Sequence, residues 1–303
     1  MRLSAYSIAI GVEQRRFPWK AAIMSALQVA DEFCLVYDPR FDDAQVLMID
    51  PRIKLTKMDI DFSQWDFINI ALTKSRQSCQ GEWCFLTEMD MIIHEIEKER
   101  IPAALNRAEA KGHEAIKVRE FSCIQNLVDL DRFYGGGFRQ SITRNEPWLY
   151  HKTSDYMIRI IDSKIWDGKC IKDYGFDDFS YYDERSGAKF YSDKADFVEL
   201  DYLKDLDFAL ANYTYLWHYG FFNPGRKNAQ GRQISQWQDR VYGRSNTFDI
   251  EKQIQLLKET LVINPEETKN SIEYFRSNGF TKCYIKHPKI VQKWVDSMGV
   301  DAI

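Results

Sequence analysis

The first hundred residues alternate short β-rich runs with helical patterns, and this alternation restricts the fold most: it specifies a parallel sheet covered by helices. Leu3 to Ile10 reads as strand one. Pro18 suits a first helical turn, and Ala21, Met24 and Leu27 recur at helical spacing until Glu32-Phe33-Cys34-Leu35-Val36-Tyr37 opens strand two. Asp38 follows that strand directly. Ile53 to Met58 is a third strand, and Ser63 with Asp66 resembles a capping box ahead of a helix presenting Ile68, Ala71, Leu72 and Ser75, which Gly81 ends. Trp83-Cys84-Phe85-Leu86-Thr87 is the fourth strand, and its carboxyl end delivers Glu88-Met89-Asp90 into the crevice where open α/β sheets bind ligands.

Beyond His94 the pattern loosens. A helix is expected from His94 to about Ala110, a strand from Ala115 to Phe121, a loop at Gly135-Gly136-Gly137, and strands at Met157 to Ile161 and Tyr213 to Trp217. From Lys227 the chain reads helical, with Asn264-Pro265-Glu266-Glu267 a helix start and Lys282 to Ile285 a short strand. The expected division is therefore a catalytic unit over 1-226 and a mainly helical C-terminal extension over 227-303.

The 303 residues and 45% hydrophobic content suffice to bury a full core. Lys and Arg number 41 against 45 Asp and Glu, with no block of like charge, which argues against a nucleic-acid partner. Six cysteines form no C-x-x-C pair and lack His at zinc-ligand spacing, so reduced thiols in a cytoplasmic protein are expected. No apolar run approaches the roughly 20 residues of a transmembrane span.

Two carboxylates at i and i+2 just past a buried strand, here Glu88 and Asp90, can hold a hard divalent cation through oxygen. Their surroundings are more specific. The segment Asn69-Ile70-Ala71-Leu72, then Gly81-Glu82-Trp83, an apolar strand, Glu88-Met89-Asp90 and an apolar run ending in His94-Glu95, resembles glycosyltransferase family 2 and its relatives of GT-A fold. Trp217-His218-Tyr219-Gly220-Phe221 is similar to a late H-Y-G segment of that family.

The resemblance implies a GT-A-type, Rossmann-like, mostly parallel sheet flanked by helices. It also implies a nucleotide-sugar donor (a UDP- or GDP-sugar), a glycan or other hydroxyl acceptor, and Mn2+ or Mg2+ as cofactor. The nucleotide maps onto Ala9, Gly11, Glu13 and Asp38, with Asp38 placed to accept from a uracil-like base edge. The metal maps onto the DxD-like pair Glu88 and Asp90, of which Asp90 aligns with the more dependable ligand. Two departures stand out: Glu88 replaces Asp, and Met91 stands where many relatives carry a further Glu.

His218, following an apolar strand, is a candidate third ligand or diphosphate contact. Arg226 and Lys227 are candidates to sit on the leaving diphosphate. If the reaction inverts the anomeric centre, a carboxylate must take the acceptor proton, and Asp177, Asp178, Asp183 and Glu184 remain equal candidates. Phe179, Tyr181, Tyr182, Phe190 and Tyr191 in the same stretch suit a sugar ring or a core. A nucleotidyltransferase would carry a Gly-rich phosphate loop after strand one, and only Gly11 is there. A degenerate, non-catalytic nucleotide-sugar-binding or interaction protein is the other reading, supported by the altered Glu88 and Met91.

Overall fold

A computed structural model describes residues 2–63, 67–110, 115–124, 127–128, 138–146, 149–153, 156–159, 190–192, 215–218, 250–277, 281–282 and 288–297. Its first half is a run of β-α-β crossovers: β1 (Leu3–Ala9), α1 (Trp19–Ala26), β2 (Glu32–Tyr37), α2 (Ala44–Leu47), β3 (Ile53–Lys57), α3 (Phe67–Gln77) and β4 (Trp83–Leu86). All three strand pairs here are parallel, and the order is β4-β1-β2-β3. The expected sheet is thus present, with β2 at the predicted residues.

Both faces of this sheet are apolar, as parallel strands under helices require. Phe33 and Leu35 of β2 pack with Leu3 and Ala5 of β1 and Ile23 of α1, whereas Cys34 and Val36 face the α3 side with Tyr6, Leu72 and Ala71. The amino ends are tied by one buried acid. Glu32 accepts from the Ser4 hydroxyl at 2.5 Å and the Gln80 amide at 2.6 Å, and pairs with Lys54.

Beyond β4 the sheet turns mixed. Short β5 (Met91–Ile93) precedes a 3-10 turn (Glu95–Lys98) and α4 (Arg100–Ala110). Then come β6 (Ala115–Ile124), β7 (Leu127–Val128), β8 (Phe138–Arg144), the hairpin β9 (Leu149–Thr153) and β10 (Tyr156–Arg159), β11 (Phe190–Ser192) and β12 (Tyr215–His218). β8 inserts antiparallel between β4 and β6, while β12 runs parallel to β6 and antiparallel to β5. The single helix expected from His94 is divided, with Pro102 in the first turn of α4, where its missing N–H costs nothing.

The C-terminal residues give α5 (Ile250–Lys258), α6 (Pro265–Ser277), β13 (Thr281–Lys282), a 3-10 turn (Lys289–Val291) and α7 (Gln292–Ser297). Asn264 caps α6 as its sequence predicts, its side-chain oxygen accepting from the amides of Glu266 and Glu267 at 3.0 and 3.3 Å. α5 packs on the first half: Leu257 is buried with Val36, Phe41, Ile60, Phe62 and Phe67. The Leu261 amide donates to the Gln14 carbonyl at 3.0 Å, and the Trp294 indole donates to the Arg16 carbonyl at 3.1 Å. The division proposed at residue 226 falls outside the described residues.

Two local expectations change. Pro18 is the N-cap of α1 rather than part of its first turn. Gly81 does not end α3, which stops at Gln77; a Cβ at Gly81 would lie 2.7–2.8 Å from Ser4 and the Arg2 carbonyl, so the glycine is there for close backbone approach. Asp66 of the expected capping box lies outside the described residues, and Ser63 donates its hydroxyl to Asp61.

Candidate functional site

The carboxyl ends of β2, β1 and β4 lie side by side, because Ala9 pairs with Tyr37 and Tyr6 with Leu86. Open α/β sheets bind ligands along such an edge. Ala9 is the last residue of β1 and fully buried; Gly11 and Glu13 follow in the loop to α1. Gly11 adopts φ +64°, which favours glycine, and a Cβ there would sit 3.3 Å from the Leu257 carbonyl of α5. Glu13 accepts from the Trp19 indole at 3.1 Å.

The amides of Gly11 and Val12 point at one acceptor, the carboxylate of Asp42, at 2.6 and 2.9 Å. Burial pushes the Asp42 carboxyl above its usual range, with these two amides working against the rise. The loop that would otherwise offer N–H groups to a phosphate is thus occupied by the chain's own acid. Gln14 fastens the same loop to β2's end by donating to the Phe41 carbonyl at 3.2 Å.

Asp38, directly after β2, is fully buried and already partnered. It accepts from the Arg40 amide at 3.0 Å and Nε at 2.9 Å, from Arg40 Nη2, and from the Ile60 amide at 3.0 Å. Burial works to raise its carboxyl, but the Arg40 and Ile60 bonds outweigh that and hold it below the usual range. The side chain that reaches past it is Arg40, held over the rings of Phe41 and Phe62. Neither Arg40 nor Asp42 stands out in the sequence; both gain their roles from partners that only the folded loop supplies.

At the third strand end, the Thr87 amide donates to the Tyr6 carbonyl at 3.1 Å, and the Met91 amide turns back to the Glu88 carbonyl at 3.0 Å. Glu88 and Asp90 lie on this turn, Glu88 half-buried and Asp90 8% exposed. Met91 is buried in the core with Met89 and Ile93, so an apolar residue there has a packing reason. The turn is braced from α1, whose Ser25 hydroxyl accepts from the Ile93 amide at 3.0 Å. β12 pairs with β5 so that the backbone of His218 lies opposite Met91, the residue after Asp90.

Asp177, Asp178, Asp183, Glu184, Arg226 and Lys227 lie outside the described residues, as do Gly135 to Gly137. Phe179, Tyr181 and Tyr182 lie outside them too.

No family model matches this chain, and no curated protein does. Solved structures give loose likenesses. The bifunctional IspDF from Campylobacter jejuni matches at 11% identity and TM-score 0.39, covering 68% of this chain and 54% of that one. S. aureus TarS 1-349 matches at 12% identity and TM-score 0.34, over 92% of this chain and 74% of that one; TarS complexes with UDP and with UDP-GlcNAc also match. Rv0371C from Mycobacterium tuberculosis, in complex with manganese, matches at 13% identity and TM-score 0.28, over 47% of this chain and 70% of that one. The chain thus spans about half the length of IspDF.

Glu88 and Asp90 offer two carboxylates, two residues apart, just past the carboxyl end of β4, the oxygen donors a divalent cation takes. Among the described residues no three His, Cys, Asp or Glu side chains converge as a complete metal site. No helix among them is long and apolar enough to cross a membrane.

Proposed function

We infer that this chain transfers a sugar from a nucleotide-diphosphate donor, a UDP- or GDP-sugar, to a hydroxyl acceptor, with Mn2+ or Mg2+ held by Glu88 and Asp90 and inversion at the anomeric carbon. One observation carries the reading. The β1 loop's amides are committed to Asp42, so the growing negative charge of a leaving diphosphate has to be met elsewhere on the edge, and the carboxylate pair one strand over is where a cation belongs. The same observation disfavours a nucleotidyltransferase, whose phosphates would rest on those amides.

In this reading a bound cation supplies electrostatic stabilisation of the diphosphate. The chain's own groups do the rest. Ala9, Gly11, Glu13 and the Asp38–Arg40 pair form the nucleotide side of the crevice. His218, Arg226 and Lys227 contribute to the metal or diphosphate. One of Asp177, Asp178, Asp183 and Glu184 takes the acceptor hydroxyl proton. The free, buried thiols Cys34, Cys79 and Cys84 fit work in a reducing compartment such as the cytoplasm.

Calorimetry with UDP and GDP, with and without Mn2+ or Mg2+, tests the reading: binding is expected to require the metal, and absent or metal-indifferent binding for both nucleotides overturns it. The non-catalytic reading is favoured by Glu88 in place of Asp and by Met91, whose side chain is built into the core. Hydrolysis of a nucleotide sugar with added Mn2+ separates the two, since a pure binder leaves the donor intact.

A further inference from the structure

The geometry points to Arg40 as the group that selects the donor's base, favouring keto bases (uracil, guanine) over amino bases (cytosine, adenine). This rests on the nucleotide-sugar reading above and adds to it a residue and a physical reason for the base preference. Arg40 follows the end of β2, and Ile60 lies three residues past β3, so their contact spans the carboxyl ends of two neighbouring parallel strands. The guanidinium is fixed on three sides. Nε donates to Asp38 at 2.9 Å, Nη2 donates to Asp38 and to the Ile60 carbonyl, and the plane rests over Phe41 and Phe62 with its central carbon 5.6 and 5.3 Å from the ring centres.

An arginine carries five N–H donors, and these bonds use the Nε–H and both Nη2 hydrogens. Among the described residues none is bonded to Nη1, and 34% of the side chain remains exposed. A rigid cation with one open donor nitrogen therefore stands at the edge where the nucleotide is expected. Its surroundings decide what it can take. Asp38 already pairs with the guanidinium, and Asp59 and Asp61 also stabilise its charge, so a phosphate there would compete with acids of the chain itself. A neutral acceptor meets no such competition. Uracil O4 and guanine O6 are such acceptors, whereas cytosine N4 and adenine N6 present N–H groups that meet Nη1 donor to donor. Asp38, which the family resemblance assigns to the base, acts in this arrangement by aiming Arg40.

The test is calorimetry on the full chain with excess Mn2+, using UDP, GDP, CDP, ADP and inorganic pyrophosphate. UDP or GDP is expected to bind about tenfold or more tighter than CDP and ADP. Arg40→Gln is expected to erase that ratio and leave pyrophosphate affinity unchanged. Because Arg40→Gln strands the buried Asp38 charge, the paired variant Asp38→Asn with Arg40→Gln provides a second test that removes both charges together. Equal affinity for all four nucleotides, or a ratio that survives in both variants, overturns the proposal. Binding of pyrophosphate but of no nucleotide also overturns it while leaving the acid site standing. If neither pyrophosphate nor any nucleotide binds, the nucleotide-sugar reading itself falls and takes this inference with it.

Discussion

Asp90 and Glu88 share one turn, yet they are not equivalent: Asp90 is nearly buried beside the register partner of His218, and Glu88 is more open. Asp90→Asn keeps the shape and removes the charge, and is expected to lower turnover on the order of 100-fold, as losing one preorganised electrostatic group does. Steady-state rates with a UDP- or GDP-sugar measure this, and a larger loss in Glu88→Gln would reverse the assignment. Asp38 gives a pH-dependent test. Its carboxyl is held low in the fold, so its contribution is present above the unfolded pKa and is lost as pH falls through the folded one. Asp38→Asn should cost about 3 kcal/mol at neutral pH, because it leaves Arg40 without its buried partner. The deficit against the natural chain should shrink in acid, read from denaturant melts at several pH values; a constant deficit means the carboxylate charge is not what holds Arg40. At this scale the sequence showed the acids, since type and position after a strand are local facts. It hid Asp42, whose partners Gly11 and Val12 are 31 and 30 residues away, and it hid that Arg40, beside Asp38 in the chain, is also held by the Ile60 carbonyl 20 residues away.

The elements were legible where hydrophobic period and burial agree. β1, β2 and β4 are buried on both faces and read as short apolar runs, and α6 announced itself through Asn264. β5, β7, β8, β9 and β11 went unread. β5 is three residues long and exists through pairing with β12, and no period can show in three residues. Gly81 was legible as a break but not as a packing requirement. Gly81→Ala should destabilise by about 3 kcal/mol, because the atoms it meets include the backbone of Arg2 and Ser4 and cannot rotate aside. Thermal melting checks this, and an unchanged midpoint would mean the β1–β4 approach relaxes freely. Leu257→Ala in α5 should likewise cost about 3 kcal/mol by opening a cavity among Phe41, Ile60 and Phe62.

Across the whole molecule, the C-terminal helices are fastened to the first half at several points: Leu257 in the core, Leu261 on Gln14, Trp294 on Arg16, and the Lys289 amide on Glu95 at 2.7 Å. A single unfolding transition is therefore expected in denaturant, with tryptophan fluorescence and helical circular dichroism changing together; two separated transitions would show that residues 250–297 unfold on their own. The helical character of this region was readable from sequence, but its docking was not, since nothing local in α5 names Gly11 or Val36 as neighbours. That docking bears on synthesis. The patch of Val36, Phe41, Ile60 and Phe62 emerges from the ribosome long before Leu257, roughly 190 residues after Ala71. At about 5–20 residues per second the nascent chain carries that patch uncovered for on the order of ten seconds or more, an interval in which a chaperone would compete with aggregation for it.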